Sequence, residues 1–196
     1  KHIQKLLQQD FAIVIIDQYG EGKDITRAVS KVLTASTYID GSINSERSKV
    51  GIASLYIGEA GVGVSYINTL IGQTKSYEII QDSSEIVRFI ESENPGDILV
   101  YYHDSVDICK YDSLLKTIEL SQSRHVYVKS LPQYYNKPTT QESILKQYYT
   151  SRGFLTAIEY IGMEIKQNAL TSLVCILQYL KDLDNEIVSQ LQKPIL

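Results

Sequence analysis

The sequence predicts an α/β chain whose centre is a mixed sheet of about five strands with flanking helices, preceded by a helix–strand–strand segment and followed by a helical region. Three observations carry this. Three β-rich runs with glycine turns lie in series within KVGIASLYIGEAGVGVSYINTLIGQTKSYEII. The continuous apolar run DILVYYHD follows a short amphipathic helix, and the last third repeats apolar residues at helical spacing.

Taken in order, HIQKLLQQD sets Ile3, Leu6 and Leu7 on one helical face, and Phe11 to Ile16 is an apolar, β-branched run of the kind found in buried strands. RAVSKVLTAST alternates, with Val29, Lys31 and Leu33 on one side and Ala28, Ser30 and Val32 on the other, and reads as a further strand. The polar stretch Asp40 to Ser48 has the composition of a linker and is the best domain boundary. Beyond it the three β-rich runs form an antiparallel meander around the Gly58 to Gly61 turn and Gly72. SSEIVRFIESENPGD carries an N-cap candidate at Ser83 or Ser84, apolar Ile86, Val87, Phe89 and Ile90, and a Pro95-Gly96 stop. DILVYYHD is then a central buried strand reached by a helical crossover, VDICKYDSLLKTIEL is a helix, and HVYVKS returns to strand. This order of elements resembles the ribonuclease-H-like layer fold. Two helical patterns follow, broken by Gly153 and Gly162, and Leu170, Leu173, Val174, Leu177, Leu180 and Leu183 make a wide apolar face.

Composition narrows the function. A chain of 196 residues, 43% hydrophobic and 21% charged, holds one good core together with pieces of its neighbours. The net charge is −4 with the basic residues dispersed, which gives no strong electrostatic footprint for nucleic acid and leaves room only for a weak or partial contact. Cys109 and Cys175 lie far apart in predicted helices, as expected of reduced thiols inside a cell rather than of a disulfide framework or zinc site. The sequence offers no apolar run long enough for a bilayer and no signal peptide, so no membrane partner is expected. Its abrupt ends, Lys1 within a helical pattern and KPIL, read as those of a fragment.

The stretch FAIVIIDQYGEGKD raises the question of a phosphate cradle. A P-loop requires a glycine separated by four residues from its Gly-Lys pair and a hydroxyl residue after the pair; here those positions are Asp17 and Asp24, two negative charges where phosphate would sit. Gly20-x-Gly22 lacks the third glycine of the dinucleotide fingerprint. A surface turn between strands is the expectation.

No catalytic constellation is legible. A nuclease on such a sheet needs several acids converging on paired divalent cations, and KVGIASLYI carries none. Asp104 ends the apolar strand and reads first as a helix cap. His103 and His125, both at strand ends, could be spatial neighbours but lack ligand spacing, so strand-end packing is expected of them. Both cysteines are expected in the core, and most of the fifteen tyrosines as half-buried packing residues rather than base-stacking platforms.

The ordered set HIQKLLQQDFAIVIIDQ, TRAVSKVLTASTYID, the KVGIASLYI and GVGVSYINT strands, and SRGFLTAIEYIGMEIKQNALTSLVCILQYLKD resembles the MutS family of DNA mismatch-recognition ATPases. The carriers are Asp17-Gln18, Thr34-Ala35-Ser36-Thr37 and Leu177-Gln178-Tyr179, matching the family's Glu-Gln or Asp-Gln strand end, its Thr-Pro-Gly-Thr-like turn and its Leu-Gln-Tyr-like helix. Ala35-Ser36 in place of proline and glycine implies a looser turn, and the likeness points to a divergent branch of the kind found in large DNA viruses and octocoral mitochondria.

The resemblance implies that residues 1–45 are the C-terminal part of a mismatch-binding domain with its linker, 46–165 a connector domain, and 166–196 the start of a helical lever. It implies a piece with no chemistry and no cofactor of its own, coupling DNA binding to an ATPase domain that lies, with its ATP and magnesium, outside this chain, as does the mismatch-reading Phe-x-Glu. The partners it implies are mismatched duplex DNA, a second copy in a MutS-type dimer, and a MutL-like protein, in an intracellular, DNA-associated setting. Lys31 and Arg27 would be its DNA backbone contacts, adding sequence-independent affinity. Two alternatives are a stand-alone metal-dependent nuclease with Asp104 and Asp107 as ligands, and a protein-interaction module unrelated to repair that docks a helix on the Leu170 to Leu183 face. On the MutS-like reading that face is expected to be exposed in the isolated chain.

Overall fold

The computed structural model describes residues 2–7, 9, 11–20, 24–34, 51–80, 83–122, 126–149, 153–183 and 191–196. Helix α1 (His2–Leu7) leads into β1 (Ile13–Tyr19) and β2 (Thr26–Leu33), an antiparallel two-stranded ribbon. The strands β3 (Ile52–Ile57), β4 (Val62–Ile67) and β5 (Thr74–Ile79) form the meander. Helix α2 (Ser83–Glu93) leads to β6 (Asp97–Tyr102), and α3 (Asp112–Gln122) leads to β7 (Val126–Ser130). The helices α4 (Pro138–Leu145), α5 (Ala157–Ile161) and α6 (Gln167–Leu183) follow. The five-stranded sheet has the order β5-β4-β3-β6-β7. β3, β4 and β5 pair antiparallel, while β6 and then β7 add in parallel on the other side of β3. This is the ribonuclease-H-like arrangement, with α2 and α3 making the crossovers that parallel strands require.

Period-two alternation sorts the sheet residues between two cores. Ala53, Leu55 and Ile57 of β3, Val62 and Val64 of β4, and Ile98 and Val100 of β6 pack with Ile86 and Ile90 of α2 and Leu114 and Ile118 of α3. Ile52, Ile67 and Leu99 face the other way, into the cluster formed by Leu170, Leu173, Val174, Leu177 and Leu180 of α6. Between these apolar contacts the α6 side of the sheet is built from small residues. Ser172 Oγ donates to the Ser54 carbonyl at 2.8 Å, Ser65 and Ser76 bond each other at 2.7 Å, and a methyl on Gly63 would lie 2.0 Å from the Asn168 carbonyl oxygen. Small side chains let the start of α6 lie directly on the strands, and the Ser65, Ser76 and Ser172 hydroxyls find partners in the dry contact while Ser54 Oγ is buried without one.

The apolar face of α6 is therefore not the exposed surface expected for an isolated chain: Leu173, Val174, Leu177 and Leu180 are fully buried, because the sheet itself is their partner. The Phe11 to Ile16 run departs from expectation in the opposite sense. From Ile13 it enters β1, but Val14 is 52% and Ile16 59% exposed, since among the described residues β1 pairs only with β2. The KPIL end also has a structural place. Ile195 pairs with Lys75 in parallel sense, the Ser76 amide donates to the Ile195 carbonyl at 2.9 Å, and the Ile195 amide donates to the Thr74 carbonyl at 3.0 Å, so residues 191–196 line the β5 edge of the sheet.

Candidate functional site

The ribbon carries both cations singled out as DNA contacts. Register pairs Gln18 with Arg27, Asp17 with Ala28 and Ile16 with Val29, then slips so that Ile15 faces Lys31, leaving Ser30 as a bulge whose hydroxyl reaches the Ile15 carbonyl at 3.4 Å. Directly paired residues share a face and successive ones alternate. Arg27, with Gln18, is thus on the face of Val14, Ile16 and Val29, whereas Lys31, with Ile15, is on the face of Ile13, Asp17 and Leu33. Both side chains are exposed. The expectation that Val29 and Lys31 share a side does not hold, because the extra residue of the bulge reverses the alternation. A single flat surface laid against the ribbon meets one of the two cations.

Where the ribbon joins the sheet, Leu33 and Thr34 are buried, and Thr34 Oγ1 donates a 2.7 Å hydrogen bond to Asp97 Oδ2 at the first residue of β6. Thr34 opens the Thr-Ala-Ser-Thr turn; Ala35, Ser36 and Thr37, like the linker Asp40 to Ser48, lie outside the described residues. At the other end of the ribbon the strands on either side of YGEGKD run antiparallel, so β1 leads into a returning strand and not into the helix of a phosphate cradle; Glu21 to Lys23 lie outside the described residues. Gly20 has φ +92°, and a Cβ there would lie 2.4 Å from the Asp24 carbonyl oxygen, so the turn requires glycine.

The acids weighed for a nuclease are engaged locally. Ser130 Oγ donates a short hydrogen bond to Asp104 Oδ1. Asp107, not Asp104, is the helix cap, accepting from the Cys109 amide at 3.2 Å ahead of the single 3-10 turn Ile108–Tyr111. Beside them Ser105 Oγ donates to Glu59 Oε1 at 2.5 Å and lies 2.6 Å from His103 Nδ1. His125 lies outside the described residues, and among those described no group of three or more His, Cys, Asp or Glu side chains is placed to hold a metal ion. Cys175 is a core residue whose thiol burial pushes far up, but Cys109 is exposed, because the turn that holds it lies on the outside of the domain. Burial likewise raises Tyr101 and Tyr149 to about 12, consistent with packing tyrosines.

Sequence reasoning missed two positions that organise the domain. Asp97 gives no sign of its partner 63 residues away. Glu142 of α4 accepts from the Ala157 and Ile158 amides at 2.8 and 3.2 Å, holding the first turn of α5. Burial opposes its charge, but those amides and Lys146 outweigh burial and keep its carboxyl below the ordinary glutamate range.

A mixed sheet of this order, entered through a latched β-ribbon and covered by a helix on its open face, defines an α/β domain of the ribonuclease-H-like class. No protein-family model matches the chain. Among curated proteins it is 22% identical over 98% of its length to the DNA mismatch repair protein MutS of Alkaliphilus oremlandii, and 28% identical over 68% to that of Thermodesulfovibrio yellowstonii. It is also 21% identical over 99% of its length to a MutS homolog of Acanthamoeba polyphaga mimivirus. The chain is similar to these MutS proteins, and it spans 22%, 17% and 20% of the length of the three. Among solved structures it is similar to Thermus thermophilus RuvC, with a TM-score of 0.43 and 8% identity, over 68% of this chain and 98% of that one.

Proposed function

We propose that this chain is the connector region of a MutS-type mismatch-repair protein, a rigid sheet domain that fixes the relation between a DNA-clamping domain and the lever and ATPase regions of the whole protein. The observation that carries this reading is the anchoring of both chain segments that flank the sheet. The ribbon is tied to β6 by the buried Thr34–Asp97 bond, and residues 191–196 are tied to β5 by main-chain hydrogen bonds. A body gripped at two places transmits displacement from one to the other, which is what a connector has to do.

In this reading residues 1–45 belong to the mismatch-binding part, 46–165 to the connector and 166–196 to the start of the lever, whose helix α6 packs on the connector sheet. The piece itself performs no chemistry, the ATP and magnesium of the whole protein being held elsewhere. Its partners are mismatched duplex DNA, a second MutS-type subunit and a MutL-like protein, in an intracellular, DNA-associated setting. Lys31 or Arg27 contributes a backbone contact to the duplex. The test is made on the whole protein that contains this segment: it binds a mismatched duplex in preference to a matched one, and Thr34→Val leaves that preference intact while slowing ATP-driven release from DNA. A whole protein indifferent to mismatches overturns the reading, as does magnesium-dependent cleavage of a labelled duplex by the purified 196-residue chain.

A further inference from the structure

A pocket of about 150 Å³ opens between the end of β7 and the last turns of α6, on a part of the domain that the connector reading leaves unused. Its walls are phenol rings: Tyr101 from β6, Tyr134 and Tyr135 from the 3-10 turn after β7, and Tyr179 from α6. Tyr134 and Tyr135 pack with ring centroids 4.4 Å apart, and Tyr134, which lines the pocket, keeps half its surface open. Asp182 stands at the rim, oriented by a 2.8 Å hydrogen bond from Gln178 Nε2 to one of its carboxylate oxygens, which leaves the other available.

The charges acting on the walls are acidic. After burial, which is the largest cause, Asp182 contributes to raising Tyr101 and Tyr135, and Asp97 contributes to raising Tyr179. Lys129 also lines the pocket, with its side chain exposed. Ring faces carry negative quadrupoles that attract cations and repel anions. A planar guanidinium satisfies both features, stacking on an open ring while it pairs with a carboxylate, which a compact ammonium does less well.

We propose that this pocket receives an arginine side chain from a partner protein, its guanidinium stacked on Tyr134 and paired with Asp182. The proposal does not depend on the repair reading and can fail without it.

The test is a titration of the isotopically labelled 196-residue chain with three capped tripeptides, Gly-Arg-Gly, Gly-Phe-Gly and Gly-Glu-Gly, followed by NMR at the Gln178 side-chain amide and the Tyr134 and Asp182 main-chain amides. The arginine peptide alone produces saturable shifts. Asp182→Asn and Tyr134→Leu, both at exposed positions and both checked for unchanged β3 resonances, each weaken binding about tenfold, and Lys129→Ala leaves it the same or tighter. Absence of saturation with the arginine peptide overturns the proposal. So does equal binding of the phenylalanine peptide, which marks an unspecific apolar slot, or binding of the glutamate peptide that Lys129→Ala abolishes, which marks an anion site.

Discussion

Thr34 Oγ1 and Asp97 Oδ2 lie 2.7 Å apart with both side chains buried, joining the end of β2 to the beginning of β6 across 63 residues of sequence. A hydroxyl donating to a buried carboxylate is among the stronger neutral-to-charged hydrogen bonds, and losing the donor leaves the acceptor partly uncompensated in a dry place. Thr34→Val keeps the shape and removes the donor. It is expected to cost about 1–3 kcal/mol in urea denaturation and to raise amide exchange in β2 while β3 stays protected. Equal loosening of β2 and β3 would mean that the bond stabilises the whole fold without acting as a latch on the ribbon.

Gly63 is the narrowest point between α6 and the sheet. Its conformation is ordinary, so the demand for glycine comes only from space: a Cβ would lie 2.0 Å from the Asn168 oxygen and 2.4 Å from the Ala169 nitrogen, both backbone atoms that cannot swing aside. Gly63→Ala must therefore lift the start of α6, at about 1–3 kcal/mol or more by the usual cost of overpacking. Chemical denaturation measures it, and Gly153→Ala, at a glycine with nothing within 4 Å of an added Cβ, serves as the comparison that reports left-handed backbone strain without a clash.

Much of the sheet was legible because its strands are short and its central ones are largely apolar. DILVYYHD could hardly be other than a central strand, and β3 to β5 announce themselves through alternating β-branched residues and glycine turns. The packing of α6 was not legible from its own stripe of leucines, since that stripe is the same whether a sheet or a second helix covers it. The signal lay in the partner: Gly63, Ser65 and Ser76, small residues at period-two spacing on adjacent strands, mark a face against which a backbone can lie. The ribbon misled for a related reason. An apolar, β-branched run looks alike buried or exposed, and no alternation rule foresees the bulge at Ser30 that sends Lys31 and Arg27 to opposite faces. Pairs such as Thr34–Asp97, distant in sequence and common in residue type, leave no trace until the fold brings them together.

Glu142 gives the domain an acid-sensitive joint. Its carboxylate receives two amides of α5 and lies 3.3 Å from Lys146, and together these outweigh burial and lower its pKa on folding. A group whose folded pKa lies below its unfolded one stabilises above the unfolded value and loses that contribution as pH falls through the folded value. Stability is accordingly expected to decline as pH drops from the ordinary glutamate range downward. Glu142→Gln should be less stable at neutral pH and show a flatter decline, read from urea midpoints across that range. An unchanged slope would assign the acid sensitivity to other carboxylates.

The opposite placement of Arg27 and Lys31 makes the proposed DNA contact testable one cation at a time. Each cation on a phosphate releases about one counterion, so removing a true contact lowers the slope of log affinity against log salt by about 0.9. Because Arg27 pairs with Gln18 and Lys31 with Ile15 on either side of the bulge, a duplex lying along one face of the ribbon engages only one of them. In the whole protein Lys31→Ala is expected to reduce the slope by about that amount on matched and mismatched duplexes alike, since a phosphate contact carries no sequence information. Arg27→Ala, whose side chain projects beside exposed Val14, Ile16 and Val29, is expected to leave the slope unchanged. The reverse result would put the DNA on the apolar face, and a drop from both substitutions would require the duplex to wrap the ribbon instead of lying against it.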